Sequence, residues 1–314
     1  MELNTILDYS EEVHTARKNH QPIVAIESAF ILDNTPYPKN IENLENVENI
    51  IRQNGSVPAT IAVVAGRIKV GLDSEQIKKV AISKRKMSIN KKDLPFSISK
   101  KETGGLTVAS TITIANLAGI QVCIANGING VNHEAQITMD ISEDIQALAQ
   151  NEVAVVVSGT KLLTDIDLTL EYLETNGVPI IGYNTTFISS LYTQNEKNQV
   201  DYSISDPYKI ATIMNNQWNT LKVPGSIIIC TSLNDKMLLG NDFIDSIIQS
   251  SLADTRKKSI KGRKVDAYAI NKIRKMTNGV SLNIEIEAMN KSAVTGSIIA
   301  RHFNLLKKEQ KIKS

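Results

Sequence analysis

The sequence predicts an α/β fold with an α/β/α layered architecture and a largely parallel central sheet. Short apolar runs that are typical of buried strands recur along the chain, in the order PIVAIESAF, IQVCIANG, VAVVVSG, VPIIGYN and GSIIICTSL. Segments with apolar residues at helical spacing lie between these runs. This alternation favours βαβ units, whose parallel sheet is covered by helices on both faces. No internal repeat or long linker interrupts it, so we expect residues 1–314 to form a single α/β domain.

The elements of the first half can be placed by their end signals. YSEEVHTARKNH predicts a short helix before the first buried strand, and NIENLENVENIIRQNG predicts a helix that ends at Gly55. ATIAVVAGRIKVGL contains two β-rich runs around Ala65 and Gly66 and predicts a hairpin. We expect Ser74 to cap the helix SEQIKKVAI, and TVASTITIANLAG to form a buried helix.

The second half repeats the order of strand and helix. We expect Ser142 to cap a helix in SEDIQALAQN, and LTDIDLTLEYLETNG to form the helix after the strand VAVVVSG. Residues 306–314 end in KKEQKIKS, and their basic, polar composition predicts a frayed tail.

Composition limits the class of protein. A chain of 314 residues that is 42% hydrophobic can build a full core. Its 35 basic and 33 acidic residues give a net charge of +2, so the charge does not indicate nucleic acid or a membrane as a partner. We expect no signal peptide, and no apolar run reaches the ~20 residues of a membrane span. Cys123 and Cys230 lie in apolar segments and predict buried free thiols in a reducing compartment, so we expect a cytoplasmic protein.

Two charged residues stand at apolar strands. Glu27 lies within VAIESAF, where burying a carboxylate is costly unless it is paired or functional. It either ends the strand in solvent or serves as an acid–base group whose pKa is raised by burial. Lys161 follows the strand VAVVV and the turn SGT. It is either an ordinary solvated lysine of a loop or a nucleophile at the sheet edge where open α/β folds place their chemistry.

The segment TMDISED carries a group of carboxylates. Ser142, Glu143 and Asp144 are explained by N-capping and by the favourable interaction of acidic residues with the helix dipole. That interpretation leaves Asp140, whose carboxylate could ligate a hard cation through oxygen.

A turn rich in glycine and asparagine, NGINGVNHEA, follows the strand IQVCIA. Gly127 and Gly130 permit the backbone to approach a ligand closely, although spacing alone favours a simple turn. His133 lies in this polar segment and is one of four histidines. The sequence has no Cys/His cluster with zinc spacing, no Walker loop and no G-x-S-x-G elbow, which argues against P-loop nucleotide hydrolases and serine esterases.

The order of the motifs resembles the pseudouridine-5′-phosphate glycosidase family, the group that includes the indigoidine synthase A-like proteins. The motifs are VAIESAF, TPYPKN, NGSVPATIAVVAGRIKVGL, KKDLP, LTVAST, AGIQVCIANGINGV, MDISEDIQALA, VAVVVSGTK, LEYLETNGVPIIGY and NNQW. The resemblance covers about residues 22–301. It implies an α/β/α fold, a homotrimer, and the reversible cleavage of pseudouridine 5′-phosphate to uracil and ribose 5-phosphate. It also implies a divalent metal, typically manganese.

The same resemblance implies roles for individual residues. Glu27 matches the acid of the family, and Lys161 matches its nucleophile. Asp140 matches the metal ligand. The substrate-contacting residues of the family match Val108, Ser142, Glu143 and Asp144.

The sequence departs from the family pattern at positions suited to holding an anion. Ser88, Asn132 and His133 stand where the family has a lysine, a histidine and an arginine, and the substrate-side asparagine of the family corresponds to Glu285. TSLND replaces a late Asn-Pro-Ile-Pro segment. We therefore expect either weak binding of the phosphorylated substrate or compensation from the basic loop KRKMSINKKD, in which Lys86 is the candidate replacement.

The chemistry of the retained residues agrees with the implied reaction. A C-glycosidic bond has no heteroatom leaving group to protonate, so the usual carboxylate pair of a glycosidase is insufficient. An acid such as Glu27 can open the ribose ring, and a neutral Lys161 can form a Schiff base that acts as an electron sink. Two alternatives stay open: a related glycosidase that acts on a different ribosyl C–C or C–N bond, and a weakly catalytic paralogue that binds or regulates.

Overall fold

The protein is described by a computed structural model that covers residues 5–29, 35–83 and 88–313, with the side chains of 310–313 left undescribed. The strands are β1 Leu7–Tyr9, β2 Ile23–Glu27, β3 Val57–Val64, β4 Arg67–Val70, β5 Gly104–Gly105, β6 Val122–Ile124, β7 Ala154–Val157, β8 Ile180–Tyr183, β9 Tyr202–Ile204 and β10 Ile227–Cys230. The helices are α1 Glu11–Lys18, α2 Lys39–Gln53, α3 Ser74–Ala81, α4 Leu94–Ser99, α5 Val108–Leu117, α6 Ala135–Thr138, α7 Glu143–Gln150, α8 Ile166–Thr175, α9 Pro207–Asn215, α10 Asn241–Lys257, α11 Lys264–Met276 and α12 Val280–Lys313.

All ten strands belong to one sheet. Nine of them follow the order β1-β4-β3-β2-β6-β7-β10-β8-β9, and β5 pairs with β3 beside this path. The pairs are parallel except where β3 meets β4 and β5. The predicted, largely parallel α/β architecture is therefore confirmed.

Helices cover both faces of the sheet because its strands alternate apolar residues between them. On β2, Ala25 belongs to one core cluster, whereas Val24 and Ile26 belong to the other. The first cluster includes residues of α1, α5, α7 and α8. The second includes residues of α2, α3, α9 and α12.

A third apolar cluster positions two further helices over the carboxyl side of the sheet. It joins Leu162, which follows β7, and Leu233, which follows β10, to residues of α10, α11 and α12. The ends of parallel strands are where open α/β folds bind ligands. The third cluster thus brings α11 close to the sheet edge at which Lys161 lies.

Local signals explain most boundaries and correct one prediction. Asp73, not Ser74, caps α3: its side chain accepts the Gln76 N–H, and the Gln76 side chain accepts the Asp73 N–H in return. The hairpin is confirmed, with positive φ at both Ala65 and Gly66, as tight two-residue hairpin turns require. Ser142 caps α7 as predicted.

The prediction that the basic C-terminal segment is frayed is wrong. Helix α12 continues to Lys313 and so includes most of residues 306–314. Phe303 is buried in the second core cluster, and Leu306 packs against that cluster. These contacts extend the helix toward the basic residues because tertiary packing stabilises helices beyond their intrinsic propensity.

Candidate active site

Glu27 is the last residue of β2 and lies deep in the protein. Its side chain is 1% exposed, so the interpretation that it points into solvent is wrong. Its Oε2 accepts the backbone N–H of Asn126 at 3.0 Å, just beyond the end of β6. Burial without pairing would be costly for a carboxylate, and this one has a charged partner.

That partner is Lys161. Its Nζ lies 3.4 Å from Oε1 of Glu27, and its side chain is 22% exposed. The lysine is therefore held in a mostly buried ion pair and is not a solvated loop residue. The charged amine after β7 is accommodated because a buried carboxylate ends β2, two strands away in the sheet.

Two adjacent loops bring the pair together. The N–H of Lys161 donates to the carbonyl of Ile128 at 2.8 Å, which ties the loop after β7 to the loop after β6. Gly127 has a φ of +77°, and a Cβ there would lie 3.1 Å from the carbonyl oxygen of Gly159 and 3.4 Å from Cγ of Lys161. A side chain at this turn would crowd the lysine, so the turn requires glycine.

Asp144 is the second buried carboxylate beside Lys161. It is 2% exposed, and its oxygens accept the N–H groups of Ala109 at 2.9 Å and Asn129 at 3.1 Å. Burial raises its pKa, while Lys161 and the two N–H groups lower it. Helix capping does not explain this residue, because it joins α7 to the start of α5 and to the loop after β6.

The two residues that precede Asp144 in the chain also fix the start of α7 near the start of α5. Ser142 accepts the Asp144 N–H at 3.1 Å as the N-cap of α7. Glu143 accepts the N–H of Lys91 at 3.1 Å and the hydroxyl of Thr107 at 3.2 Å, and burial raises its pKa. Val108, the first residue of α5, is fully buried next to this junction.

Asp140 lies in the bend before α7 and is half-buried. Its backbone is fixed by bonds from the Asn132 N–H to its carbonyl, at 3.1 Å, and from its own N–H to the hydroxyl of Thr138, at 3.3 Å. Sequence reasoning found this residue but missed its neighbour Asp266. Asp266 lies on α11, and burial together with the charge of Asp140 raises its pKa to about 6, against the lowering effect of Lys161.

Asp266 gave no usable signal in the sequence. It stands in a basic, polar helix, KVDAYAINKIRKM, and resembles an ordinary acidic residue of a first turn. The third apolar cluster packs α11 in this position, and only this packing lets the carboxylate of Asp266 interact with Asp140, Asp144 and Lys161.

The positions that depart from the resemblance lie around the same region. Asn132 and His133 line a cavity of about 640 Å³ together with Asp140, and Lys261 and Gly262 also line it. His133 Nδ1 lies 3.7 Å from a carboxylate oxygen of Asp165. Lys84, Arg85 and Lys86 lie outside the described residues, so the compensation expected from Lys86 stays a prediction; Lys91 and Lys92 of the same loop are described.

Glu285 has become part of a buried ionic group. It is 3% exposed, pairs with Arg274 on α11 at 2.6 Å, and accepts the hydroxyl of Tyr192 at 2.7 Å. This position therefore joins α11, α12 and the loop after β8.

The carboxylates near Lys161 are the candidate ligands for the divalent cation that the resemblance implies. Within the described residues, no group of three or more His, Cys, Asp or Glu side chains could hold a metal. The charge of Asp140 nevertheless contributes to the raised pKa of Asp266, and a bound cation would offset this repulsion. One or two carboxylates with several waters is the coordination that hard divalent ions of this type accept.

The model of the family described as indigoidine synthase A like protein matches residues 12–302. The chain belongs to this family. Its relatives include proteins named pseudouridine-5′-phosphate glycosidase from Petrotoga mobilis, 40% identical over 98% of this chain and all of the relative, and from Staphylococcus aureus, 38% identical over 97% and 99%. The resemblance inferred from the motifs is thereby confirmed.

Solved structures of the indigoidine synthase A-like fold agree with the architecture. The prealnumycin C-glycosynthase AlnA, in complex with ribulose 5-phosphate, superposes with a TM-score of 0.88 at 28% identity, covering 97% of this chain and 99% of AlnA. An indigoidine synthase A-like protein from Thermotoga maritima superposes with a TM-score of 0.84 at 20% identity and covers 95% and 97%, which supports the fold alone. No helix among the described residues is long and apolar enough to cross a membrane.

Proposed function

We propose that the protein is a pseudouridine-5′-phosphate glycosidase, which reversibly cleaves the C-glycosidic bond of this nucleotide to give uracil and ribose 5-phosphate. The observation that carries the proposal is the Glu27–Lys161 pair, at 3.4 Å, in a largely buried site at the carboxyl ends of β2 and β7. The full-length similarity to relatives of that name supports the choice of substrate.

The ion pair supplies an acid and a nucleophile together. Transfer of one proton from Nζ of Lys161 to Glu27 leaves a neutral amine beside a neutral carboxylic acid. Low local polarity favours this exchange, because burial disfavours both charged forms. The Asn126 N–H keeps the carboxyl oriented while it holds the proton.

The bond changes balance with these two groups and one water. Glu27 protonates the ring oxygen of the ribose as its bond to C1′ breaks, and Nζ of Lys161 bonds to C1′. The C1′–C5 bond then breaks. Its electron pair stays on C5 of uracil, which takes up a proton, and C1′ becomes an imine of Lys161. Water hydrolyses the imine to ribose 5-phosphate and restores the amine.

Asp140 and Asp266 are the carboxylates that would hold a divalent ion, which we propose to be Mn²⁺. Such an ion supplies positive charge that stabilises anionic groups of the substrate. Asp144 has a structural role. Its carboxylate accepts hydrogen bonds from two backbone N–H groups, and these bonds fix the loop after β6 against α5.

We further propose a homotrimer in the cytoplasm. Ile137 and Met139, 85% and 75% exposed, form an apolar surface beside Asp140 that a second copy of the chain would cover. Both cysteines are buried free thiols, as predicted, which suits a reducing compartment.

The similarity to AlnA favours one alternative, the formation of a different C-glycosidic bond on the same scaffold. The retained acid and lysine would serve both directions, since the reaction is reversible. Incubation with pseudouridine 5′-phosphate and Mn²⁺, with chromatography for uracil, separates the two functions: uracil release supports the glycosidase, and its absence favours the alternative.

Lys161 provides the sharper test. Borohydride added during turnover should attach the mass of a reduced ribose phosphate to Lys161, located by peptide mass spectrometry. Lys161→Ala should abolish both labelling and uracil release, whereas Lys209→Ala, at an exposed lysine of α9, should change neither. Full turnover by Lys161→Ala would refute the imine mechanism.

A further inference from the structure

The candidate site carries an excess of negative charge. Asp144 and Asp266 both interact with Lys161, Asp266 also interacts with Asp140, and Glu27 forms the ion pair. A phosphomonoester brings a further charge of about −1.5 to −2 at neutral pH. A phosphorylated substrate therefore needs a fixed cation in addition to Lys161, which reacts at the other end of the ribose, and to the ion proposed at Asp140 and Asp266.

Arg263 immediately precedes α11 and reaches across to the segment before α4. Its Nη1 donates to the carbonyl of Ser88 at 3.1 Å and to Oδ1 of Asn90 at 2.5 Å, and its Nη2 donates to Asp93 at 3.1 Å. Its charge also acts on Glu143. The guanidinium thus stands at the position where the sequence has a serine in place of a cation.

The guanidinium retains capacity for an anion. It has five N–H donors, and the three bonds above leave two of them for a ligand. The side chain is 39% exposed, so solvent and small molecules can reach it. Two N–H groups of one guanidinium form the bidentate contact that phosphate oxygens favour.

Other cations of the described region are less suitable. Nζ of Lys91 donates to the side chain of Gln150 at 2.7 Å. Arg256 pairs with Glu134 at 2.9 Å and is 63% exposed. His133 lies beside Asp165.

We propose that Arg263 binds the phosphate group of the substrate and replaces the cation that Ser88 lacks. The inference rests on the proposed function, because it assumes a phosphorylated ribosyl substrate. The three bonds to Ser88, Asn90 and Asp93 hold the guanidinium in place, so a phosphate meets a preorganised donor.

The test compares kcat/KM for pseudouridine 5′-phosphate with kcat/KM for pseudouridine. Arg263→Gln should lower the ratio of these two values about 10- to 100-fold, the effect of losing one or two charge-assisted bonds. The ratio cancels any general damage to the fold. Lys264→Gln, which removes the same charge from an exposed neighbour, should leave the ratio unchanged.

Three further variants separate phosphate binding from a purely structural clamp. Asn90→Ala removes an acceptor of Arg263 and Asp93→Asn removes a negative charge beside it. Both keep the charge of the guanidinium but loosen its support, so they should lower the ratio less than Arg263→Gln does. Arg263→Lys keeps the charge and should lower the ratio less than Arg263→Gln. Equal losses for both substrates in Arg263→Gln and Arg263→Lys would overturn the proposal and leave Arg263 a clamp.

Calorimetric titration with ribose 5-phosphate and with ribose distinguishes this inference from the proposed function. Wild-type protein should bind ribose 5-phosphate in preference to ribose, and Arg263→Gln should lose that preference, whether or not uracil is released. Equal binding of ribose 5-phosphate by wild type and Arg263→Gln would overturn the role of Arg263. Absence of uracil release alongside Arg263-dependent binding would refute only the proposed reaction.

Discussion

Glu27 and Lys161 show how individual residues acquire a function from their position. Each follows or ends a buried strand, and the parallel order of the sheet brings strands β2, β6 and β7 side by side. Their charges then stabilise each other in a place where either alone would be destabilising. Asp140 has a different environment, since it is half-buried on the bend before α7 and interacts with a carboxylate.

This difference makes Asp140 the residue to test for metal binding. Asp140→Asn removes a hard, charged oxygen ligand and should weaken Mn²⁺ binding by more than about tenfold. The free Mn²⁺ signal in electron paramagnetic resonance measures the affinity without any substrate. The exposed Asp242→Asn serves as the control and should bind Mn²⁺ like the wild type; the same affinity in Asp140→Asn would contradict the assignment.

At the scale of elements, buried polar side chains fix how helices lie on the sheet. On α2, Glu48 is 6% exposed and accepts the hydroxyl of Thr60 on β3 at 2.6 Å. On α11 and α12, Arg274 and Glu285 form the buried pair described above. Each contact joins two consecutive elements of the chain, and both have consequences for stability.

Glu48 should make stability depend on pH. Burial raises the pKa of Glu48 above its usual 4.5, so the folded protein binds the proton more tightly than the unfolded chain. The associated stabilisation is complete below pH 4.5 and is lost as the pH rises through the raised pKa. Glu48→Gln cannot undergo this loss. In urea unfolding, its stability relative to wild type should therefore improve from pH 4.5 to pH 8, whereas the exposed Glu45→Gln should show no such trend.

The Arg274–Glu285 pair should be strongly coupled. Glu285→Ala leaves the guanidinium of Arg274 and the hydroxyl of Tyr192 without this partner, and should lower the free energy of unfolding by about 3–5 kcal/mol. Arg274→Met combined with Glu285→Leu should cost clearly less than the two single changes added together. The exposed Lys39–Glu42 pair gives the reference, at most about 1 kcal/mol. Additive losses for the buried pair would show that the two side chains act independently.

At the scale of the whole molecule, one sheet carries two helical layers, and a third cluster of α10, α11 and α12 extends over its carboxyl edge. This arrangement places α11 beside the loops after β6 and β7. The apolar Ile137 and Met139 lie next to the site on the outer surface. The surface proposed for assembly and the candidate active site therefore lie side by side.

The proposed trimer is tested by analytical ultracentrifugation. The wild type should sediment as a trimer, and Ile137→Glu should shift it toward monomers because a carboxylate would be buried in an apolar contact. Ile82→Glu changes an exposed apolar residue elsewhere and should remain trimeric. A monomeric wild type at micromolar concentration would refute the assembly.

Much of the fold could be predicted from local patterns. The apolar runs specified the buried strands, the Ala65–Gly66 turn specified the hairpin, and Ser142 specified the start of α7, because propensity, capping and periodicity act over a few residues. The capping of α3 by Asp73 and the extension of α12 to Lys313 were missed, since one side-chain bond or a distant packing contact can move a boundary. Chemical type alone also indicated Glu27, Asp140 and Lys161 as candidates.

The sequence by itself thus determined the α/β order of the elements, the family to which the chain belongs, and the acid and lysine at the strand ends. Tertiary structure decided that Glu27 and Lys161 meet at 3.4 Å, that Asp266 joins the carboxylates, and that Arg263 stands against Ser88. The physical reason is distance along the chain. Residues more than 100 positions apart meet only where apolar clusters pack α11 and the strand ends together, and no local pattern records that packing.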